Sequence, residues 1–205
     1  MSTTYFITGI GTGIGKTIVS AIITEKLQAD YWKPIQSGDL DNSDSLKIES
    51  LISNTKTIIH SEGFKLTQPL SPHLSAKIDN IELQINYLHT PRTNNHLIIE
   101  GAGGLMVPLN DQELMIDYIQ SLGVKVILVS QNYLGSINHS LLSIEALKSR
   151  GIEIAGIIFN GTSNTETERY IMQYSNVPLL GWIPELDKLD KESVKKAGQY
   201  LNLNP

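Results

Sequence analysis

The hydrophobic and polar positions of this chain alternate between two kinds of segment. Short runs of consecutive apolar residues predict strands buried on both faces, as in a parallel sheet. Longer stretches with apolar residues three and four positions apart predict amphipathic helices between those runs. The predicted strands are Thr4–Ile7, Tyr31–Ile35, His96–Glu100, Val124–Ser130, Ile154–Asn160 and Leu179–Ile183. The predicted helices are Lys16–Ala29, Ser43–Ile52, Ile81–Leu88, Gln112–Leu122, Ile137–Ser149 and Glu166–Tyr174.

This alternation predicts an α/β protein with a doubly wound three-layer fold and a mainly parallel central sheet. In such folds ligands bind beyond the carboxyl ends of the strands. Residues 54–95 have the weakest periodicity, because Pro69, Pro72 and Pro91 interrupt them. No change of composition divides the chain, and we expect residues 1–205 to form a single domain.

Composition narrows the functional classes. The chain has 205 residues, no cysteine and a net charge of −5, which excludes disulfides, thiolate metal sites and cysteine nucleophiles and argues against a nucleic-acid partner. No apolar run approaches the roughly 18 residues of a membrane span, and no charged leader segment is present. We therefore expect a cytoplasmic protein that binds neither membranes nor nucleic acid.

A glycine-rich segment, Gly9–Thr17, follows the first predicted strand directly and precedes the first predicted helix. Its glycines let backbone N–H groups converge on an anion, while Lys16 reaches the β/γ-phosphates and the Thr17 hydroxyl coordinates Mg²⁺. The loop is one residue longer than the usual nucleotide loop, because Ile10 stands where the first glycine is expected. The predicted phosphate-binding residues are Gly13, Ile14, Gly15, Lys16, Thr17 and Ile18.

Three further clusters follow predicted strands. Lys33 interrupts an apolar strand, so it either stays in solvent at a sheet edge or meets an anion. Glu100 ends a strand before a glycine turn, where it either holds Mg²⁺ or caps the turn. The acidic segment Asp39–Asp44 either forms a solvated loop with a helix cap or supplies one further Mg²⁺ ligand. Its spacing does not show which acid that is.

Taken together, these motifs resemble the dethiobiotin synthetase family. The family loop G-T-D-T-x-x-G-K-T has the same extra residue as Gly9–Thr17, although the family aspartate is Gly11 here. An acidic residue that some members carry at the position of Gly13 is also missing. Five more family motifs occur in order along the chain: Lys33–Gly38, Asn42–Asp44, Glu100–Gly104, Leu134–His139 and Pro178–Pro184.

The resemblance implies a reaction. Members of the family close a cyclic urea on 7,8-diaminopelargonic acid with CO₂ and ATP, in biotin biosynthesis. A carbamate formed on one substrate amine attacks the γ-phosphate, and the second amine then closes the ring and expels phosphate. The resemblance also implies Mg²⁺ as cofactor and a homodimer in which each subunit contributes to its neighbour's substrate site.

The same resemblance implies the site residues. Lys16, Lys33 and Thr12 would carry the catalysis, and Thr17, Asp44 and Glu100 would hold Mg²⁺. Asn160 and the segment at Pro184 and Glu185 would bind the adenine. The residues implied to bind substrate, the last five from the other subunit, are Ser37, Gly135, Ser136, Ile137, Asn138 and Tyr170.

Two alternatives remain open. A P-loop ATPase switch of the partition or septum-site type has the same fold and a long loop, but it usually carries a second lysine early in the loop, where this chain has Gly11. An amidation domain of a cobalamin-type synthase would need a glutaminase partner with a catalytic cysteine, and this chain has no cysteine.

Overall fold

A seven-stranded sheet forms the centre of the computed structural model, which describes residues 2–203. Its strand order is β4-β2-β6-β1-β7-β8-β9, and every neighbouring pair is parallel. A second, two-stranded parallel sheet pairs β3 with β5. The strands are β1 (Thr4–Gly9), β2 (Asp30–Trp32), β3 (Ile35–Ser37), β4 (Ile59–His60), β5 (Phe64–Leu66), β6 (Leu97–Gly104), β7 (Lys125–Ser130), β8 (Ile154–Asn160) and β9 (Leu179–Ile183).

Helices cover both faces of the central sheet. Adjacent side chains of β1 point into different cores: Ile7 packs with the first helix and the C-terminal segment, and Phe6 packs on the opposite face. The three-layer α/β prediction is confirmed. The helices are α1 (Lys16–Leu27), α2 (Asp44–Leu51), α3 (Pro72–Ile78), α4 (Met115–Leu122), α5 (Ser136–Ser149), α6 (Thr165–Ser175) and α7 (Lys191–Ala197). Within residues 2–203, every helix is too short or too polar to cross a bilayer.

The position of β1 determines where a ligand can bind. β1 lies between β6 and β7, and Ile7 on β1 is in register with Glu100 on β6. Because parallel strands end at the same edge, the loop after β1 and the part of β6 that follows Glu100 meet there. β2 lies on the other side of β6 and brings Lys33 to the same edge.

The predicted strands are found with end shifts of up to four residues, except for the one at Tyr31–Ile35. The glycine turn predicted directly after Glu100 is wrong, because β6 continues through it to Gly104. The Tyr31–Ile35 segment forms two strands in two different sheets, because Lys33 and Pro34 separate β2 from β3. Proline has no N–H to give to a ladder, and the Pro34 carbonyl accepts a hydrogen bond from the Phe64 N–H at 2.9 Å. The break turns Lys33 out of the central sheet.

The predicted helix Ile81–Leu88 is wrong, since only a short 3-10 turn occurs at Ile85–Tyr87. Side chains of a neighbouring loop bind the backbone groups that a helix would use. The Glu113 carboxylate accepts the Ile85 N–H at 3.1 Å, and the Asn110 amide donates to the Leu83 carbonyl at 2.9 Å.

Two helices were not predicted, because both are only 7 residues long and too short for an apolar period. α3 has Pro72 in its first turn, where the missing N–H costs nothing. α7 begins at a proper N-cap, in which the Asp190 carboxylate accepts the Ser193 N–H at 2.9 Å.

Candidate active site

The loop after β1 has the geometry of a phosphate-binding loop. Gly13 and Gly15 have φ values of 76° and 87°, which favour glycine. A Cβ added to Gly15 would lie 2.1 Å from the Asn160 amide nitrogen. α1 begins at Lys16 without a side-chain cap, so its first N–H groups and its positive dipole end face the loop.

A cleft of about 730 Å³ opens beside this loop. It brings together most of the predicted catalytic, phosphate-binding and metal-binding residues. Lys47 and Gln36, which were not predicted, also line it. The predicted residues along the cleft are Thr12, Gly13, Gly15, Lys16, Thr17, Ile18, Lys33, Ser37, Asp44 and Glu100.

Lys33 is the centre of a buried charge cluster, so the solvent-exposed alternative for this lysine is wrong. Its ammonium lies 2.6 Å from Asp44 Oδ2 and 3.1 Å from Glu100 Oε1, and it also donates to the Gly101 carbonyl at 3.3 Å. Only 4% of Lys33 is exposed, and a buried ammonium requires such partners. One cation is therefore shared by two carboxylates from two different elements.

The Glu100 carboxylate is bound on both of its oxygens, and it does not cap a turn, because β6 continues past it to Gly104. Oε1 accepts the Thr17 hydroxyl at 3.0 Å as well as the Lys33 ammonium. Oε2 accepts the Tyr31 hydroxyl at 3.0 Å. The prediction missed Tyr31 because a tyrosine in an apolar strand looks like an ordinary core residue.

These contacts set the protonation of the cluster. Burial lowers the pKa of Lys16 to about 8, although Glu100 and Asp44 oppose that change. Burial also disfavours a charged Lys33, but Glu100 and Asp44 outweigh it and raise the pKa of Lys33. Lys33 in turn holds the pKa of Asp44 below its usual value against the effect of burial. The pKa of Tyr31 is raised well above its usual value, mainly by burial and next by the negative charge of Glu100.

The N-terminus of α2 positions Asp44, the last acid of the predicted acidic segment. Ser43 caps this helix by accepting the Leu46 N–H at 3.4 Å and donates to Glu62 at 3.0 Å. The buried Gln36 accepts the Asp44 N–H at 3.2 Å and donates to the Gly38 carbonyl at 2.8 Å. Asp39, by contrast, pairs with Lys47 at the surface.

The oxygen donors of the cleft suit a hard divalent cation. The Thr17 hydroxyl and the Asp44 and Glu100 carboxylates all line it, and Mg²⁺ prefers such ligands. Within residues 2–203, no group of three or more His, Cys, Asp or Glu side chains could hold a metal alone. This donor set fits a cation that also takes phosphate oxygens and waters as ligands.

The predicted adenine-binding residues lie beyond the loop. Asn160 ends β8 and donates from its amide to the Ile14 carbonyl at 3.0 Å, while the Ile14 side chain is buried in the core. Pro184 follows β9, and the Glu185 carboxylate accepts the Thr162 hydroxyl at 2.9 Å.

The remaining predicted substrate residues line a second cleft of about 850 Å³. It lies at the start of α5, where Gly135 has a φ of 103°, and it reaches the side chain of Tyr170 on α6. No described residue lines both this cleft and the one beside the phosphate-binding loop. Its predicted members are Gly135, Ser136, Ile137, Asn138 and Tyr170.

Comparison with known proteins agrees with this geometry. A family model described as an AAA domain matches residues 3–193. The ATP-dependent dethiobiotin synthetase of Christiangramia forsetii is 54% identical over 199 residues, covering 97% of this chain and 96% of that protein. This chain belongs to the dethiobiotin synthetase family. A second member, from Cytophaga hutchinsonii, is 48% identical and covers 93% of this chain and 92% of its own length.

Solved structures show the fold alone. A ParA family ATPase from Chlorobium tepidum matches with a TM-score of 0.62 and 13% identity, covering 98% of this chain and 100% of that chain. Members of the dethiobiotin synthetase family resemble this chain in sequence over nearly its whole length, whereas the ParA family ATPase shares its architecture at low identity.

Proposed function

We propose that this protein is an ATP-dependent dethiobiotin synthetase. It joins CO₂ to 7,8-diaminopelargonic acid and closes the ureido ring of dethiobiotin, with release of ADP and phosphate. The observation that carries the proposal is the position of Lys33. A lysine outside the phosphate-binding loop lies in the nucleotide cleft, 2.6 Å from Asp44 and 3.1 Å from Glu100. The family relationship supports the same reaction.

The first chemical step transfers the γ-phosphoryl group. A carbamate oxygen on the substrate attacks the γ-phosphorus, the bond from that phosphorus to the β-γ bridging oxygen breaks, and ADP leaves. Lys16 and the loop N–H groups stabilise the charge that develops on the phosphoryl oxygens. Phosphate in the cleft raises the pKa of Lys16 again, since a nearby anion favours the ammonium.

The second step closes the ring. The free amine attacks the carbonyl carbon of the carbamic-phosphoric anhydride, the bond from that carbon to the phosphate oxygen breaks, and the proton that the amine loses passes to the departing phosphate. Thr12, Lys33 and Ser37 hold the carbamate for both steps. The Ser37 hydroxyl is buried and has no hydrogen-bond partner among the described residues, and such a group favours a ligand contact.

Thr17, Asp44 and Glu100 would hold Mg²⁺, which when bound neutralises phosphate charge. Before nucleotide binds, the Lys33 ammonium provides the positive charge between the two carboxylates. The cluster of Lys16, Lys33, Asp44 and Glu100 is then formally neutral, so its members do not repel an incoming Mg²⁺–nucleotide complex as a like-charged site would.

Asn160, Pro184 and Glu185 bind the adenine in this proposal. Asn160 is tied to the loop through the Ile14 carbonyl, so its position follows that of the phosphates. Only the amide nitrogen of Asn160 makes that hydrogen bond, so its amide oxygen stays available to accept one from the adenine.

The active unit in this proposal is a homodimer. The second cleft lies at the N-terminus of α5, where free N–H groups and the helix dipole favour a carboxylate. In this proposal Gly135–Asn138 and Tyr170 bind the carboxylate tail of the substrate in the neighbouring subunit, and the lack of any described residue common to the two clefts supports this arrangement. The exposed Leu134 at the mouth of this cleft supports an interface there.

The test is phosphate release from ATP with and without the diamine and bicarbonate. We expect turnover only when both are present, because the phosphoryl acceptor is a carbamate made from them. Lys16→Ala is the matched inactive control. Turnover with nucleotide alone, or turnover stimulated by DNA or lipid vesicles, would favour the switch ATPase and contradict the proposal.

A further inference from the structure

The hydroxyl of Tyr31 gives the two oxygens of Glu100 different surroundings. Tyr31 is buried on β2, and its hydroxyl donates to Glu100 Oε2 at 3.0 Å. Oε1 faces the cleft and accepts from Thr17 and Lys33 at 3.0 and 3.1 Å. One oxygen of this carboxylate is therefore held toward the core and the other toward the ligand site.

The backbone fixes this arrangement. β2 and β6 pair in parallel, with Tyr31 in register with Ile98 two residues before Glu100. Tyr31 also packs in the core beneath α1, with Ile22 and Ile98 in the same cluster. A buried aromatic ring in close packing has little freedom to move, so its hydroxyl is a fixed donor for Oε2.

We propose that Tyr31 is a positioning residue that leaves Glu100 only one oxygen for a cation and thereby favours Mg²⁺ over Ca²⁺. This inference rests on the metal role proposed for Glu100. Mg²⁺ demands near-octahedral coordination at short distances and dehydrates reluctantly. Ca²⁺ accepts more ligands and readily takes both oxygens of one carboxylate. With Oε2 held on the core side by Tyr31, Glu100 presents only Oε1 to a cation in the cleft, and this single contact suits the smaller ion.

Tyr31→Phe tests this directly, because it removes the hydroxyl and keeps the ring. Mg²⁺ and Ca²⁺ affinities would be measured by calorimetry on the protein saturated with ADP, without turnover. We expect the Mg²⁺ affinity to fall about tenfold, as is usual when an outer partner of a metal ligand is lost. The Ca²⁺ affinity should fall less, so the preference for Mg²⁺ should drop by about threefold or more.

Tyr118→Phe is the matched control. Tyr118 is also a buried tyrosine, but it lies on α4, packs edge-on against Phe6 and does not line the cleft. Its substitution should leave both cation affinities as in the wild type. Melting curves of both variants, recorded without ADP or metal, show whether each protein is folded.

A double-mutant cycle isolates the contact. In a Glu100→Gln background, Tyr31→Phe should have no further effect on the affinity for either cation, because it acts through the carboxylate. Equal loss of Mg²⁺ and Ca²⁺ affinity, or no loss, would overturn the selectivity role while leaving the proposed function intact. If Mg²⁺ does not bind the wild-type ADP complex at all, the metal role of Glu100 fails together with this inference.

Discussion

Lys33 is the residue on which the electrostatics of the cleft depend. Its ammonium is shared by Asp44 and Glu100 and is almost fully buried. Removing one member of such a buried group costs more than the contact itself contributes, because the remaining charges lose their partner. Lys33 therefore supports both the fold and the chemistry of the site.

We expect Lys33→Ala to lower turnover by roughly 10²-fold or more, because it removes a preorganised cation from the developing charge. The free energy of unfolding should also fall, by about 3–5 kcal/mol, since two carboxylates are left without their cation. Phosphate-release kinetics at saturating substrates and urea unfolding measure the two effects.

The matched control is Lys125→Ala. Lys125 also pairs with a glutamate, Glu153, but at the surface of the molecule. This substitution should change neither activity nor stability measurably, because exposed ion pairs contribute little. If Lys33→Ala retained near-normal turnover, Lys33 would have to be removed from the catalytic machinery.

At the scale of elements, the loop between β1 and α1 tolerates a side chain at one of its glycines and not at another. Gly15 requires a positive φ and has the Asn160 amide against it. Gly11, four residues earlier in the same loop, does not have a left-handed φ, and an added Cβ there meets no atom within 4 Å. The loop is therefore tightly constrained where it enters the helix and open at Gly11.

Gly15→Ala should weaken ATP binding by about tenfold or more, because the loop must shift to relieve both strain and overlap. Gly11→Ala is its matched control and should bind ATP within about twofold of the wild type, since open space and an ordinary backbone conformation impose no strain. Equilibrium binding of a fluorescent ATP analogue measures both. Equal effects of the two substitutions would show that the loop rearranges as a whole.

Elements with a strong local signal could be predicted, and those determined by tertiary contacts could not. The strand at Leu179–Ile183 was predicted with its observed bounds, because a buried parallel strand is a continuous apolar run. The periodicity at Ile81–Leu88 wrongly predicted a helix, because Glu113 and Asn110, in a loop distant in sequence, bind the backbone groups there.

The candidate site shows the same division. Lys16 and Thr17 follow from the loop motif, and Lys33 is conspicuous as a charge in an apolar run. Neither Tyr31 nor Gln36 has such a signal in the sequence. Tyrosine and glutamine are both common in short strands, so neither residue stands out as part of a site. Their contacts arise only in the folded chain, where β2 brings Tyr31 to Glu100 on β6 and β3 brings Gln36 to Asp44 on α2.

On the scale of the whole molecule, the second cleft and the apolar surface around it lie on α5 and α6. Tyr170 and Tyr174 stack at 6.0 Å on α6 and are both exposed, and Leu142 on α5 is exposed as well. Large apolar side chains grouped on one surface indicate a protein contact. A two-fold dimer would bury this surface in both subunits.

Mixing two inactive variants tests whether subunits share a site. One variant is Lys16→Ala, and the other combines Asn138→Ala with Tyr170→Phe. Each hybrid dimer would have one intact site, because the first variant supplies the tail residues and the second supplies the phosphate loop. Random exchange should restore activity to about a quarter of the wild-type value, measured as dethiobiotin formed.

Two controls complete this test. Each variant mixed with itself should remain inactive, and native mass spectrometry should detect the hybrids. Absence of recovery in a mixture that contains hybrid dimers would place the whole substrate site within one chain.

The position of β1 also has a consequence during synthesis. β1 is made first, but its two hydrogen-bonded neighbours, β6 and β7, are about ninety and about 120 residues further along the chain. At about 5–20 residues per second, a ribosome needs several seconds or more to deliver the first of them. Throughout that interval the apolar strand that precedes the nucleotide loop has no sheet to join, so its backbone N–H and C=O groups stay unpaired by a ladder.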